Sequence, residues 1–270
     1  MNRPILIVGI YAPSALNVHW YNLQKRFIAS TTTVPHEFRV YLNGVDPEGF
    51  EPDDILEISS TNEGHAIALQ RVAEHFARRE HSAYLLLDSD CFPIASGWHN
   101  VLLKQMHRFG KQFAAPVRVE NLDLFPHPCA MFFLPSALQS GCLDFAHATA
   151  KNLLGVDIND PCAAMQGQCE NLLPLMRTNV LNVHPIAAAI YHHLFYHHSV
   201  GSRGIFYRVL NKFAYYDHWH NVADDNRCLK KLLDALLRDP EGFVASLMGV
   251  GANATVNHAD SINKRNIEYA

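Results

Sequence analysis

Unbroken apolar runs constrain this chain more than any other feature. Residues 4–10 read PILIVGI and residues 83–87 read AYLLL. A strand with one face in water alternates apolar and polar residues. A strand that is apolar throughout is buried on both faces, as in a parallel sheet covered by helices. FRVYLNG over 38–44, closed by the turn signal NGVDPEG, and DILEIS over 54–59 are two further strands. Helical periodicities lie between them. Trp20, Leu23 and Phe27 share a face and predict a helix over 17–29. Leu69, Val72, Ala73, Phe76 and Ala77 do the same before AYLLL, with Ser60 and Glu63 at capping-box spacing. This alternation predicts an α/β fold: a mostly parallel central sheet flanked by helices.

Trp98, Leu102, Met106 and Phe109 continue the pattern with another helix, and residues 112–119 and 129–135 read as strands. Residues 160–178 are expected to be helical, with Asp160 as N-cap and Pro161 at the first position. The stretch ADDNRCLKKLLDALLRDPEGFVASLMG predicts a helical C-terminal region. With no repeat, low-complexity segment or linker, the 270 residues read as one domain. A net charge of −4 without a long basic run argues against a nucleic-acid partner. Six cysteines without CxxC spacing, and no signal-like N-terminus, point to free thiols and a cytoplasmic location. No apolar stretch approaches the ~20 residues needed to span a bilayer. Any membrane contact would then be peripheral, at the inner face.

AYLLL runs directly into Asp88-Ser89-Asp90. Ligands of open α/β sheets sit beyond the carboxyl ends of the strands. If the backbone stays extended, residues two apart point the same way, so both carboxylates can face one ligand. Two buried like charges need a positive partner. A divalent cation fits: Mg²⁺ or Mn²⁺ takes hard oxygen donors and shares them with substrate phosphates. Aspartates at strand ends also serve as turn caps, which is the competing role.

An apolar strand closing on Asp-x-Asp, after an N-terminal α/β half, resembles the nucleotide-sugar glycosyltransferases of the GT-A fold. VGIYAPS at the end of the first strand, NGVD over 43–46, and NEGHAIALQRVAEHFA are similar to inverting, family-2-like members. The resemblance covers about residues 4 to 135. It implies a nucleotide-sugar-binding half over 1–135 and an acceptor-side half with C-terminal helices over 136–270. It also implies a metal-dependent transfer from a donor such as a UDP-sugar to a carbohydrate or lipid-linked acceptor. Tyr11, Asn43, Asp46 and Asp88 would contact the donor. Asn43 and Asp46 also suit an ordinary turn, and Tyr11 an ordinary surface aromatic.

YHHLFYHHSVGSRG over 191–204 crowds four histidines into seven positions, among 17 in the chain. GT-A enzymes often draw a third metal ligand, frequently histidine, from the C-terminal half. His198 is the expected ligand and His197 the alternative, because both abut Ser199-Val200-Gly201-Ser202-Arg203. Arg203 could fork onto a phosphate. Family members place the base that deprotonates the acceptor near a helix start after Asp-x-Asp; GVDINDPCAAMQ offers Asp157 and Asp160, and Asp160, just before the expected helix, is the choice, although the family's Glu-Asp pair is missing. The aromatic stretch over 204–221 could meet a lipid-linked acceptor or simply pack. A zinc site using Cys91, His127 and Cys129 lacks recognised spacing. A sugar-phosphate nucleotidylyltransferase would need a glycine-rich loop that VGIYAPSALN lacks. A non-catalytic nucleotide-sugar-binding domain stays open.

Overall fold

The computed structural model describes residues 3–118, 123–153, 155, 157–168, 170–179, 187–199 and 222–249, the last segment with side chains from 227. In the N-terminal half, strands and helices alternate as expected. β1 (Ile5–Tyr11), α1 (Asn17–Thr31), β2 (His36–Asn43), β3 (Ile55–Ser59), α2 (His65–Ala77) and β4 (Ala83–Asp88) follow in order. Then come β5 (Cys91–Pro93), α3 (Trp98–Phe109), β6 (Phe113–Pro116), β7 (Ala130–Phe133) and the short α4 (Pro135–Gln139). The rest comprises β8 (His147–Lys151), β9 (Asp157–Pro161), β10 (Leu172–Leu175), β11 (Ala189–Tyr191), β12 (Phe195–His197) and α5 (Val222–Arg238).

Seven strands form the central sheet in the order β10-β6-β7-β4-β1-β2-β3. All are parallel except β7, which runs antiparallel to both β4 and β6. The register sets Ile10 opposite Asp88 and Leu87 opposite Ala130. The carboxyl ends of β1, β2, β3, β4, β6 and β10 therefore share one edge with the start of β7.

The continuous apolar runs have the predicted cause. Every residue of β1 is buried, as are the first five of β4. Leu69, Val72 and Phe76 of α2 cover one face, with Tyr84 and Leu86 beneath them. Trp98, Leu102 and Met106 of α3 cover the other, over Leu85 and Leu87. Each large apolar side chain taken out of water contributes roughly 1.5–3 kcal/mol, so the two covered faces dominate stability. The C-terminal region is helical, as expected. α5 and a further helix over 240–249 bury Leu233, Leu236, Val244 and Leu247 in the cluster holding Trp20. No described helix is long and apolar enough to cross a membrane, and Cys91, Cys129, Cys142 and Cys162 are buried outside any disulfide.

Two local expectations fail. Ser60 and Glu63 do not box the start of α2. That helix begins at His65 behind Gly64, while Glu63 takes a bidentate bond from Arg71 at 2.7 and 2.9 Å. Residues 160–178 are not one helix. Asp160 lies in β9, paired with Ala148 of β8; a 3₁₀ turn follows over Ala163–Gly167, and residues 172–175 join β6 as the edge strand β10. Pro174 explains much of this: inside a helix it removes a hydrogen bond and clashes, whereas an edge strand tolerates it.

Candidate metal centre

Asp88 is the last residue of β4, and its N–H donates to the Cys129 carbonyl at 3.0 Å. The backbone does not stay extended through the triplet: Ser89 and Asp90 make a turn before β5. The carboxylates nevertheless converge. β5 pairs antiparallel with β12, setting His197 opposite Cys91, and the His198 N–H donates to the Asp90 carbonyl at 3.0 Å. One ligand atom each from Asp88, Asp90 and His197 lie within 4.8 Å of one another. Asp90 and His197 are buried, 5% and 4% exposed, while Asp88 opens onto a cleft. Two carboxylate oxygens and an imidazole nitrogen at this spacing fit Mn²⁺, and Mg²⁺ would use the oxygens. Two acids converging at a largely buried position need positive charge beside them, which an ion or a neighbouring imidazolium can supply.

Each carboxylate already faces an imidazole. His65 Nε2, at the start of α2, lies 3.0 Å from Asp88 Oδ1, and His197 Nε2 lies 3.6 Å from Asp90 Oδ1. Burial pushes the Asp88 carboxyl up, but His65, His127 and His197 outweigh it and hold it well below the usual range. Burial pushes His197 down; Cys129, Asp90 and Asp88 outweigh that and raise it to about 9. A raised histidine stabilises the fold fully below its ordinary value and loses that contribution as pH climbs through the folded value. In chelator-treated protein the melting temperature is expected to fall between pH 6.5 and about 9. His197→Gln should fall less; equal slopes would refute the assignment.

The surrounding residues are built to hold this edge. Gln24, fully buried on α1, donates from Nε2 to the carbonyls of Asp88 (2.7 Å) and Cys91 (2.8 Å). Its Oε1 accepts from the Tyr11 hydroxyl at 2.6 Å. Asn43 donates to Asn62 Oδ1 at 3.0 Å and Gly64 O at 3.3 Å, and accepts from the Glu63 N–H at 2.9 Å. Gly44 has φ 71°, and a Cβ there would strike the Asn62 backbone, so only glycine lets β2 close on the lead-in to α2. A cleft of ≈ 170 Å³ lies between Ala12, Asn43, Gly64, His65, Asp88 and Asp90. A second, of ≈ 530 Å³, is lined by the next residues along the same loops, including Pro13, Asn17, Gly44, Asp46 and Phe50.

The expected site residues thus fare differently. Asp88 and Asp90 come together with His197, not His198. The extended backbone runs one residue past β12, and side chains alternate along it, so His198 points the other way, 0% exposed, with its ring 5.3 Å from Trp20 and Nδ1 sharing a 2.7 Å bond with the Tyr196 hydroxyl. Asn43 and Asp46 line the two clefts. Tyr11 is wholly buried, not a surface aromatic, and its ring packs against Phe50. Asp160 stands on β9 and not at a helix start, 3.8 Å from Arg118 Nη2. Arg203 and the stretch over 204–221 lie outside the described residues. The zinc alternative on Cys91, His127 and Cys129 forms no group of its own among the described residues. Gln24, His65 and Arg118 were not singled out from sequence. His65 sits inside the NEGHAIAL stretch, but only its 3.0 Å approach to Asp88 marks it.

No protein-family model matches the chain, and no curated protein does. Solved structures do. A mannosyltransferase of Pyrobaculum calidifontis, in complex with GDP-mannose and Mn²⁺, is similar over 100% of this chain and 81% of its own, at 12% identity and TM-score 0.45. A Desulfovibrio desulfuricans G20 protein, described as a candidate nucleotide-diphospho-sugar transferase, covers 88% and 98%, at 10% identity and TM-score 0.44. The protein A197 from STIV covers 64% and 82%, at 12% identity and TM-score 0.36.

Proposed function

We propose that the protein is a metal-dependent glycosyltransferase acting on a nucleotide-sugar. The observation that carries this is the convergence of Asp88, Asp90 and His197 within 4.8 Å beside a cleft at the carboxyl edge of a mostly parallel sheet. Asp88, Asp90 and His197 would hold Mn²⁺ or Mg²⁺. The ion would supply positive charge at the diphosphate as the sugar departs, where it favours the transition state over the ground state. His65, which lines the small cleft beside Asp88, would face the same diphosphate. Arg203 would add a second cation. The wider cleft, with Asp46 on its rim, is of a size to take the nucleoside.

Asp160 would take the proton of the acceptor hydroxyl. As it does, the acceptor oxygen bonds to the anomeric carbon. The bond from that carbon to the diphosphate oxygen breaks, and its electron pair leaves with the nucleoside diphosphate. One displacement inverts the anomeric centre. The acceptor would be a carbohydrate, free or lipid-linked, reached in the second case by the aromatic stretch over 204–221 from the inner face of a membrane.

A thermal-shift screen of UDP, GDP, ADP and CDP, each with and without Mn²⁺, tests the donor site. At [L] near 100 Kd a bound ligand adds about 2.7 kcal/mol of apparent stability, a shift of several degrees. Stabilisation by one nucleotide, only with metal, is expected. A protein that ignores all four in Mn²⁺ is not a nucleotide-sugar transferase.

A further inference from the structure

A second charged cluster stands at the same sheet edge. Arg118 follows the end of β6 by two residues and its side chain is 9% exposed. Nη2 donates to Asp123 Oδ2 at 2.8 Å and lies 3.8 Å from Asp160 Oδ2, while Nε is buried without a hydrogen-bond partner. The two acids are unequal. Asp123 is closed off, its side chain 5% exposed, whereas Asp160 is 27% exposed. Asp123 also bonds locally, its N–H donating to the Arg118 carbonyl at 3.2 Å. One aspartate suffices to balance the guanidinium. Asp160 arrives on a separate hairpin as a second anion, and it is the more open of the two to solvent.

The cluster is continuous with the metal centre. Val117 bridges to Pro126 and the His127 N–H donates to the Pro116 carbonyl at 2.7 Å, which sets the Arg118 segment beside His127, whose ring lies 5.9 Å from that of His197. On the other side, the buried thiol of Cys162 is pushed up by burial and by both Asp160 and Asp88. A guanidinium keeps its charge at every working pH and offers donors in a rigid fork. Anchored by Asp123, it is a fixed cation against which a more exposed carboxylate can be held.

We propose that Arg118 is a positioning residue that holds Asp160 at the acceptor side of the centre. This rests on the transferase reading above. Arg118 touches neither donor nor acceptor; it fixes the carboxylate that receives the acceptor's proton. Its loss therefore acts on turnover and not on donor binding, because a small misplacement of a catalytic group lowers rate steeply.

The test measures nucleoside diphosphate release, with water as acceptor, from a panel of UDP- and GDP-sugars in Mn²⁺. The donor that wild type cleaves fastest is carried into Arg118→Gln, Arg118→Lys, Asp160→Asn and the double variant Arg118→Gln/Asp160→Asn. Asp160→Asn is expected to lower kcat by about 10²-fold, the low end for a proton-transfer group. Arg118→Gln should lower it about 10-fold, with Arg118→Lys in between, and KM for the donor should stay within about twofold. The double variant should be no slower than Asp160→Asn, since a residue acting through Asp160 has nothing left to act on. Metal-dependent stabilisation by the nucleoside diphosphate should survive in all four and reports folding. The proposal is overturned by unchanged turnover in Asp160→Asn. It is also overturned if Arg118→Gln costs as much in the Asp160→Asn background as in wild type, or if Arg118→Gln abolishes nucleotide stabilisation. A wild type that binds donor but cleaves none of the panel overturns it as well, leaving the donor site standing. A wild type that binds no nucleotide overturns the transferase reading itself.

Discussion

Asp90→Ala is expected to lower turnover of the preferred nucleotide-sugar by about 10³-fold and to abolish metal-dependent stabilisation by its diphosphate. Changes outside the ligand sphere of a metal cost roughly 10- to 100-fold, and Asp90 is proposed as a direct ligand. It is also the better buried of the two carboxylates, 5% exposed, so little water can substitute for it. Asp90→Asn keeps the shape and removes the charge, and should lose nearly as much. Nucleotide release assays with and without added Mn²⁺ give the comparison. If either variant keeps more than about a tenth of wild-type turnover at saturating Mn²⁺, Asp90 is not a ligand of the working ion.

Trp98→Ala is expected to destabilise the fold by about 3–5 kcal/mol, the range for deleting a large buried aromatic. Trp98 is fully buried on α3; its ring centroid lies 5.4 Å from both Phe132 and Phe195, and Nε1 donates to Thr32 Oγ1 at 3.1 Å. For a chain of this size the loss corresponds to a melting temperature lower by roughly 10 °C. The consequence reaches the site. Phe195 opens β12, the strand that ends at His197. Trp98→Ala should therefore weaken Mn²⁺-dependent nucleotide stabilisation even at temperatures where it is folded, and Trp98→Phe should recover most of both. A Trp98→Ala protein melting within about 2 °C of wild type would show that the cavity collapses and that this contact does not brace the strand.

The parts of the molecule legible in the sequence are those whose cause is local. β1 and β4 announce themselves because a strand covered on both faces is apolar at every position. α1, α2 and α3 do so because a helix against a sheet repeats its apolar residues at 3.6. The same logic put Asp88 where a buried strand meets the ligand-binding edge. It failed over 160–178, where an N-cap signal at Asp160 outweighed Pro174, and at the start of α2, where Glu63 prefers Arg71 to the helix cap.

From its own residues, then, the chain determined a mostly parallel sheet and an acidic pair at its edge, since burial and periodicity are written into neighbouring positions. Which histidine meets that pair was decided by the pairing of β5 with β12, because a one-residue change of register turns His197 away and His198 inward. The approach of His65 to Asp88, and of Arg118 to Asp160, was likewise settled only by tertiary structure. Such contacts join residues far apart in the chain, and no local pattern encodes the distance between them.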